Sequence, residues 1–310
     1  MTWLEQGKGR DQKIEQVRKL VSDVLCVDGS SIYRVTPCGG MTNENFHVKL
    51  QSEDYIVRIP GRGTADFIDR RQEKENLEVG VQLGINPEHV YFDVASGIKI
   101  TRMIPGARTL TAEDVKNEAV MKKVTALLRK LHQSPMPLKN RFDPFRLMKE
   151  YESLALKEDC AFYAGYKSVK KEVSLLAQYY KSMQINMVPC HIDALYENMI
   201  EGGDGNIYLI DWEYSGMFDP MWDIATHVLE ADFSTAEEEL FFRHYFKNQI
   251  TPRERERILL QKIFQDFLWS IWTLFKEAKG DDFGSYGLER FERAVKNISY
   301  FHQTYREAAT

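Results

Sequence analysis

The sequence has no excess of basic residues: its 310 residues include 41 lysines and arginines and 46 acidic residues, which gives a net charge of -5. Binding to nucleic acid requires a basic surface that neutralises phosphates, so we expect no nucleic acid partner. The sequence also has no apolar run of about 18 residues, the length that spans a membrane. Its first residues, MTWLEQGKGRDQK, lack the apolar centre of a signal sequence. We therefore expect a cytoplasmic protein with no membrane partner.

Cysteine is scarce too, and its distribution argues against zinc sites and disulfide-rich modules. The four cysteines, Cys26, Cys38, Cys160 and Cys190, have no C-x-x-C spacing and no accompanying histidine cluster. Internal repeats and low-complexity tracts are absent as well. Apolar residues make up 43% and charged residues 28% of the chain, which is typical of a globular protein. A chain of this length forms one large domain or two lobes, and its oligomeric state is not indicated.

The first hundred residues alternate between helical and strand patterns. Apolar residues recur at helical spacing from Ile14 to Leu25, and a second helical pattern covers residues 66–84. Strands are predicted at residues 32–35, 46–50, 55–59, 90–92 and 98–103. We expect residues 1–104 to form an N-terminal lobe with a five-stranded antiparallel sheet and a helix.

After Pro105-Gly106 the pattern is mostly helical. Helices are predicted at residues 111–132, 146–157, 167–184, 219–230, 234–247, 252–279 and 287–303. Between residues 186 and 211, two apolar runs flank the turn-forming sequence Gly202-Gly203-Asp204-Gly205-Asn206, which predicts a β-hairpin. Residues 105–310 are thus expected to form a helical C-terminal lobe, and the fold class is α+β.

The most informative stretch contains His191-Ile192-Asp193, then Asn198, then Ile210-Asp211. In a hairpin closed by the predicted turn, Asn198 is nearly opposite Ile210, and Asp211 is one step away. The amide and carboxylate oxygens of such a pair suit Mg²⁺, while Asp193 remains free to orient a hydroxyl. A base and two metal ligands are most of what phosphoryl transfer requires. The alternative is that these residues are ordinary turn formers.

This pattern, His-x-Asp-x-x-x-x-Asn followed by a strand ending in Ile-Asp, resembles the catalytic core of aminoglycoside phosphotransferases, choline and ethanolamine kinases and, more distantly, protein kinases. The resemblance implies a two-lobed, protein-kinase-like fold and ATP as the phosphoryl donor. It also implies that Asp193 is the catalytic base and that Asn198 and Asp211 hold Mg²⁺.

A second segment, Gly39-Gly40-Met41-Thr42-Asn43, lies between two predicted strands. Glycines allow the backbone to approach a phosphate, and Thr42 and Asn43 can donate to it, although a plain hairpin turn is the alternative. By the resemblance, Arg58 takes the place of the kinase strand lysine and Glu73 is its acidic partner; otherwise Glu73 is a solvated charge. The predicted nucleotide-binding residues are Gly39, Gly40, Thr42, Asn43, Arg58, Glu73 and, in the connector between the lobes, Met103.

Two tryptophans of the helix at residues 252–279 indicate the acceptor. Trp269 and Trp272 lie off its main apolar stripe, so another element must bury them or they serve a ligand. Aromatic faces recognise a quaternary ammonium, which has no N–H to donate. The sequences around these tryptophans, Tyr286 and Asp211 resemble bacterial choline kinases of the LicA type over nearly the whole chain. This implies a choline pocket lined by Tyr214, Trp269, Trp272 and Tyr286, with Glu230 neutralising the cation.

Two other functions remain open. An ethanolamine or aminoglycoside kinase would bind primary ammonium groups, which donate hydrogen bonds and favour clustered carboxylates over aromatic rings. The second is a kinase-like binding protein that has the fold but no catalytic activity. The presence of Asp193, Asn198 and Asp211 argues against it. The sequence predicts a choline kinase that uses ATP and Mg²⁺.

Overall fold

The computed structural model describes residues 9–39, 43–61 and 68–306. The helices are α1 (Arg10–Leu25), α2 (Arg70–Gln82), α3 (Ala112–Lys116), α4 (Glu118–His132), α5 (Pro144–Lys157), α6 (Tyr166–Ser182), α7 (Met221–Glu230), α8 (Thr235–Phe246), α9 (Pro252–Ala278) and α10 (Tyr286–Phe301). The strands are β1 (Ile32–Cys38), β2 (Glu44–Leu50), β3 (Asp54–Ile59), β4 (His89–Phe92), β5 (Lys99–Arg102), β6 (Arg108–Thr109), β7 (Val188–Cys190), β8 (Met199–Glu201), β9 (Ile207–Leu209) and β10 (Gly216–Phe218).

The described residues form two compact units. The first unit comprises Met1–Leu110 and Glu197–Tyr214, and the second comprises Thr111–Tyr196 and Ser215–Thr310. This division groups the predicted hairpin with the N-terminal unit, whereas the sequence placed it in a lobe covering residues 105–310. The assignment of nucleotide and acceptor binding to lobes 1–104 and 105–310 stays a prediction.

The first unit is built on a five-stranded antiparallel sheet, as the alternating patterns predicted, and its strand order is β1-β2-β3-β5-β4. Side chains on one face of the sheet are fully buried, among them Val48, Val57 and Ile100, because alternate residues of a strand point to the same side. Helix α1 contributes Val17 and Val21 to the same core. The sheet holds Arg58 on β3 directly opposite Lys99 on β5.

The predicted hairpin is present but short. Strands β8 and β9 pair antiparallel with Met199 opposite Leu209, and the turn closes with the Gly202 amide donating to the Asn206 carbonyl at 2.9 Å. Strand β6 adds a third member beside β8. The earlier apolar run, β7, pairs with β10 in the second unit instead of joining the hairpin.

Helix α9 is the centre of the second unit and is buried on nearly all sides. Gln265, on the side away from its apolar stripe, is 0% exposed and donates to the Trp222 carbonyl at 2.9 Å. Helices α5, α6, α7 and α10 pack against α9.

One predicted helix, at residues 111–132, is divided in two. Asn117 has extended backbone angles, ends α3, and caps α4 by accepting the Ala119 amide through its side chain. The prediction of a single helix was wrong here because asparagine is strongly preferred at the N-terminal cap of a helix, and Asn117 starts a new helix. Among the described residues, no helix combines the length and apolarity needed to cross a bilayer.

Candidate active site

The open end of the hairpin brings Asn198 and Asp211 together, both within the first unit. The Ile210 amide donates to the Asn198 carbonyl at 2.9 Å, so Asp211 is one residue beyond the paired position. Asp211 has a φ of 66°, which turns its side chain out of the strand direction, and that side chain is 25% exposed. One carboxylate and one amide at this spacing fit the oxygen donors that Mg²⁺ prefers.

Arg58 and Glu73 form a buried ion pair beside Asp211. The Arg58 guanidinium donates to both carboxylate oxygens of Glu73, and its Nη1 lies 3.3 Å from Oδ1 of Asp211. Arg58 is 4% and Glu73 1% exposed, so Glu73 is not a solvated surface charge. Burial alone would raise the pKa of Glu73, but Arg58 and Lys99 outweigh it and lower that pKa to about 2. The pair is therefore charged at neutral pH.

Three further charged residues surround this pair and were not identified from the sequence. Lys99 Nζ lies 3.7 Å from Oε1 of Glu73, and Arg70 Nη1 lies 2.6 Å from Oε2 of Glu73 and 3.1 Å from Oε2 of Glu213. Burial, followed by the charge of Asp211, raises the pKa of Glu213 to about 7. Lys99 could have been identified from its position opposite Arg58, but that position is known only once β3 and β5 are paired.

The remaining predicted nucleotide-binding residues are placed as follows. Gly40 and Thr42 lie outside the described residues. The Gly39 carbonyl accepts from the Asn45 side chain at 2.7 Å, and Asn43 is 6% exposed, with its side-chain oxygen 3.4 Å from the Gly61 amide. The Met103 amide donates to the Asp54 carbonyl at 2.8 Å, so this N–H already has a partner within the sheet region.

Trp212, next to Asp211, fastens the hairpin to α2. Its indole N–H lies 3.0 Å from both the Asn86 side-chain oxygen and the Leu209 carbonyl, and its ring is 0% exposed. A methyl group on Gly80 of α2 would lie 2.5 Å from this ring. The absence of a side chain at Gly80 therefore allows the hairpin to pack against the helix.

Substitution of Gly80 by alanine is expected to destabilise the protein. In most helices this change is stabilising, but here the methyl group overlaps the Trp212 ring, and such overpacking costs about 1 to 3 kcal/mol. Urea unfolding would measure the loss. Gly29→Ala is the matched control because its methyl group meets nothing within 4 Å. A G80A protein as stable as the G29A protein would contradict the packing described here.

In the second unit, α7 holds the loop that carries Asp193. The two carboxylate oxygens of Asp223 accept the backbone amides of His191 and Ile192, each at 2.7 Å. Trp222 and Thr226 donate to the Ile192 carbonyl at 3.0 and 3.2 Å. Ile192 has a φ of 73°, a conformation that costs a β-branched residue about 1 to 3 kcal/mol. The loop keeps this conformation because α7 satisfies its backbone groups.

Replacing Asp223 with asparagine should weaken this support. The amide offers one oxygen to two backbone N–H groups, which leaves a buried donor unpaired at a cost of about 1 to 3 kcal/mol. Displacement of the Asp193 loop should also lower kcat about tenfold or more. Asp232→Asn, at an exposed position after the same helix, should do neither. Equal turnover of the D223N and D232N proteins would show that α7 does not position the loop.

Three of the four aromatic residues predicted to bind the acceptor, Trp269, Trp272 and Tyr286, are connected through Phe283 in the second unit. Trp269 and Trp272 meet edge to face with ring centroids 6.0 Å apart, and Phe283 lies 5.0 Å from Trp272 and 6.5 Å from Tyr286. Trp272 is 8% exposed, whereas Trp269 is half-buried. Tyr214 belongs to the first unit and is half-buried at the end of the hairpin segment.

Glu230, predicted to neutralise the acceptor, has a cationic partner. Its carboxylate forms an ion pair with Arg290 of α10, a residue that the sequence analysis did not single out. The guanidinium of Arg290 also lies over the ring of Tyr286, 4.7 Å from the centroid. The pairing joins the end of α7 to α10 and could not be inferred from either helix alone.

A strand arginine paired with a helix glutamate, with an aspartate at the end of a neighbouring hairpin, is the arrangement of kinase-like phosphotransferases. Residues 35–295 match the family model of choline/ethanolamine kinase. The chain belongs to the choline/ethanolamine kinase family and is a phosphotransferase with an alcohol acceptor. The predicted family, fold class and type of enzyme are therefore confirmed.

Similar proteins support the same conclusion. The chain is 32% identical to protein LicA of Haemophilus influenzae over 83% of this chain and 78% of that protein. The crystal structure of choline kinase LicA from Streptococcus pneumoniae has a TM-score of 0.82 and 38% identity, covering 93% of this chain and 99% of that one. Ethanolamine kinase 2 of Homo sapiens is 24% identical over 83% of this chain and 74% of its own length. These similarities support the predicted choline kinase function.

Proposed function

We propose that the protein transfers the γ-phosphoryl group of ATP to the hydroxyl of choline and uses Mg²⁺. The observation that carries the proposal is the contact of Arg58 with both Glu73 and Asp211 at the hairpin end. This contact holds the partly exposed carboxylate of Asp211 near Asn198, and the Arg58–Glu73 ion pair that holds it is charged at neutral pH. The similarity to choline kinases, one of them a structure of LicA in complex with AMP, supports ATP as the donor.

The first unit would bind the nucleotide. Asn198 and Asp211 would hold Mg²⁺, which would offset the negative charge of the phosphates. Gly39, Gly40, Thr42 and Asn43 would contact phosphate oxygens, and Met103 would contact the base. Because the Arg58 side chain already donates to Glu73, Asp211 and the Gly97 carbonyl, its role would be to orient Asp211 and supply positive charge.

The second unit would bind and activate the acceptor. Asp193 would accept the hydroxyl proton of choline on a carboxylate oxygen as the phosphoryl group is transferred. Trp269, Trp272 and Tyr286 would present ring faces to the trimethylammonium group, each worth about 0.5 to 2 kcal/mol. Tyr214, in the first unit, stays a predicted acceptor-binding residue. Hydrogen bonds from the backbone of the loop that carries Asp193 to Asp223, and from Trp222 and Thr226 to that backbone, would hold the loop in position.

A substrate panel tests the proposal. Purified protein with ATP and Mg²⁺ should show a higher kcat/KM for choline than for ethanolamine or kanamycin, measured by a coupled ADP assay. Omission of Mg²⁺ should abolish turnover with every acceptor. Preference for ethanolamine or kanamycin would overturn the acceptor assignment, and absence of turnover with all three would overturn the proposed activity.

A further inference from the structure

Arg290 is a buried cation that pairs with two acidic residues of the second unit. It is 2% exposed, pairs with Glu230, and its Nη1 lies 3.0 Å from Oδ1 of Asp266. Arg293, on the same helix, also binds Asp266, with donors 2.8 and 2.6 Å from its two oxygens. Asp266 therefore has a second cation, whereas Arg290 is the ion-pair partner of Glu230 among the described residues.

The guanidinium of Arg290 contacts both Glu230 and the aromatic residues of the proposed acceptor site. It lies over Tyr286, which is linked through Phe283 to the two tryptophans. Burial and the charge of Arg293 lower the pKa of Arg290 to about 9, and the nearby carboxylate of Asp193 acts in the opposite direction. Arg290 is thus cationic at neutral pH and lies against the aromatic cluster.

We propose that Arg290 determines acceptor specificity: by neutralising Glu230 it deprives the site of an unpaired carboxylate, so that the site selects a quaternary ammonium alcohol over a primary one. This inference rests on the proposed function and names the feature that sets its substrate class. It also replaces the expectation that Glu230 neutralises the choline cation, because the charge of Glu230 is already balanced by Arg290.

The physical reason is the difference between the two cations. A primary ammonium group gives up hydrogen bonds to water on binding and needs carboxylate or carbonyl oxygens in return. The guanidinium of Arg290 binds Oε1 of Glu230 and offsets its negative charge, which makes this carboxylate a weaker acceptor for such bonds. A trimethylammonium group has no N–H to satisfy and is stabilised by the ring faces alone. The Arg290–Glu230 pair therefore penalises ethanolamine without penalising choline.

Arg290→Met tests this directly, because methionine fills the space of the side-chain stem and releases Glu230. The ratio of kcat/KM for choline to that for ethanolamine should fall about tenfold or more, the factor that one charge-assisted hydrogen bond is typically worth. The change should come mainly from a lower KM for ethanolamine. A second substitution, R290M with E230Q, removes the released carboxylate and should restore the ratio to within about threefold of the native value.

The same measurements distinguish a structural role of Arg290 from a role in specificity. A purely structural Arg290 would lower kcat/KM for both acceptors equally, and an unchanged ratio in the R290M protein would overturn the proposal. If the R290M protein does not fold, the Glu230→Gln protein is the test. The proposal requires its ratio of kcat/KM for choline to that for ethanolamine to stay within about threefold of the native ratio, and a tenfold change in that ratio would overturn the proposal. Failure of the proposed function would be recognised separately, as native protein that phosphorylates neither acceptor.

Discussion

Asp193→Asn is expected to lower kcat for choline about 10²- to 10⁴-fold, the range over which a positioned general base contributes. Asparagine has nearly the same shape but cannot accept the hydroxyl proton. Its backbone would remain fixed, because Asp223 binds the two preceding amides. Affinities for choline and for Mg²⁺ with ATP, measured by calorimetry, should stay within about threefold of native.

The matched control is Asp159→Asn, at an exposed loop position with a φ of 52° that asparagine tolerates well. It should leave kcat unchanged within twofold, about the scatter of such measurements. A D193N protein that turns over as fast as D159N would refute Asp193 as the base. Loss of choline binding in D193N would instead assign Asp193 to acceptor binding.

Asp211→Asn should abolish the effect of Mg²⁺ on nucleotide binding and lower kcat/KM about 10³-fold or more. Electrostatic stabilisation of the transferring group is usually the largest contribution to such catalysis, and the variant removes a partly exposed carboxylate that contacts Arg58. The Arg58–Glu73 pair does not depend on Asp211, so the free energy of unfolding should change little.

Asp204→Asn provides the comparison on the same hairpin. Asp204 lies in the exposed turn and bonds to Asn206 and Tyr208, so its loss should affect the turn without reducing activity more than about twofold. Titration of an ATP analogue with and without Mg²⁺ measures the difference. Equal Mg²⁺ enhancement in the D211N and D204N proteins would show that Asp211 is not a metal ligand.

Local patterns in the sequence were sufficient for the N-terminal sheet and the hairpin end. Alternation of apolar residues sets which face of a strand is buried, and a tight turn sets the register, so Asn198 and Asp211 could be placed before any coordinates. The partnership of Arg58 and Glu73 required the family resemblance, because a helix and a strand carry no local signal of which charges they share.

Contacts between distant segments could not be predicted. Asp223 follows His191 by 32 residues and Arg290 follows Glu230 by 60, and both pairs depend on how α7 and α10 pack against α9. Helical periodicity identifies a buried face but not the residue that will meet it. A charged residue such as Arg290 therefore reads as exposed from sequence, although two carboxylates and a ring enclose it.

The most direct test of the account is a crystal structure of the protein with Mg²⁺, a non-hydrolysable ATP analogue and choline. We predict a metal bound by Asp211 and Asn198, the choline hydroxyl within hydrogen-bond distance of Asp193, and the trimethylammonium group against Trp269, Trp272 and Tyr286. A metal held by other residues, or choline bound away from these rings, would contradict the account.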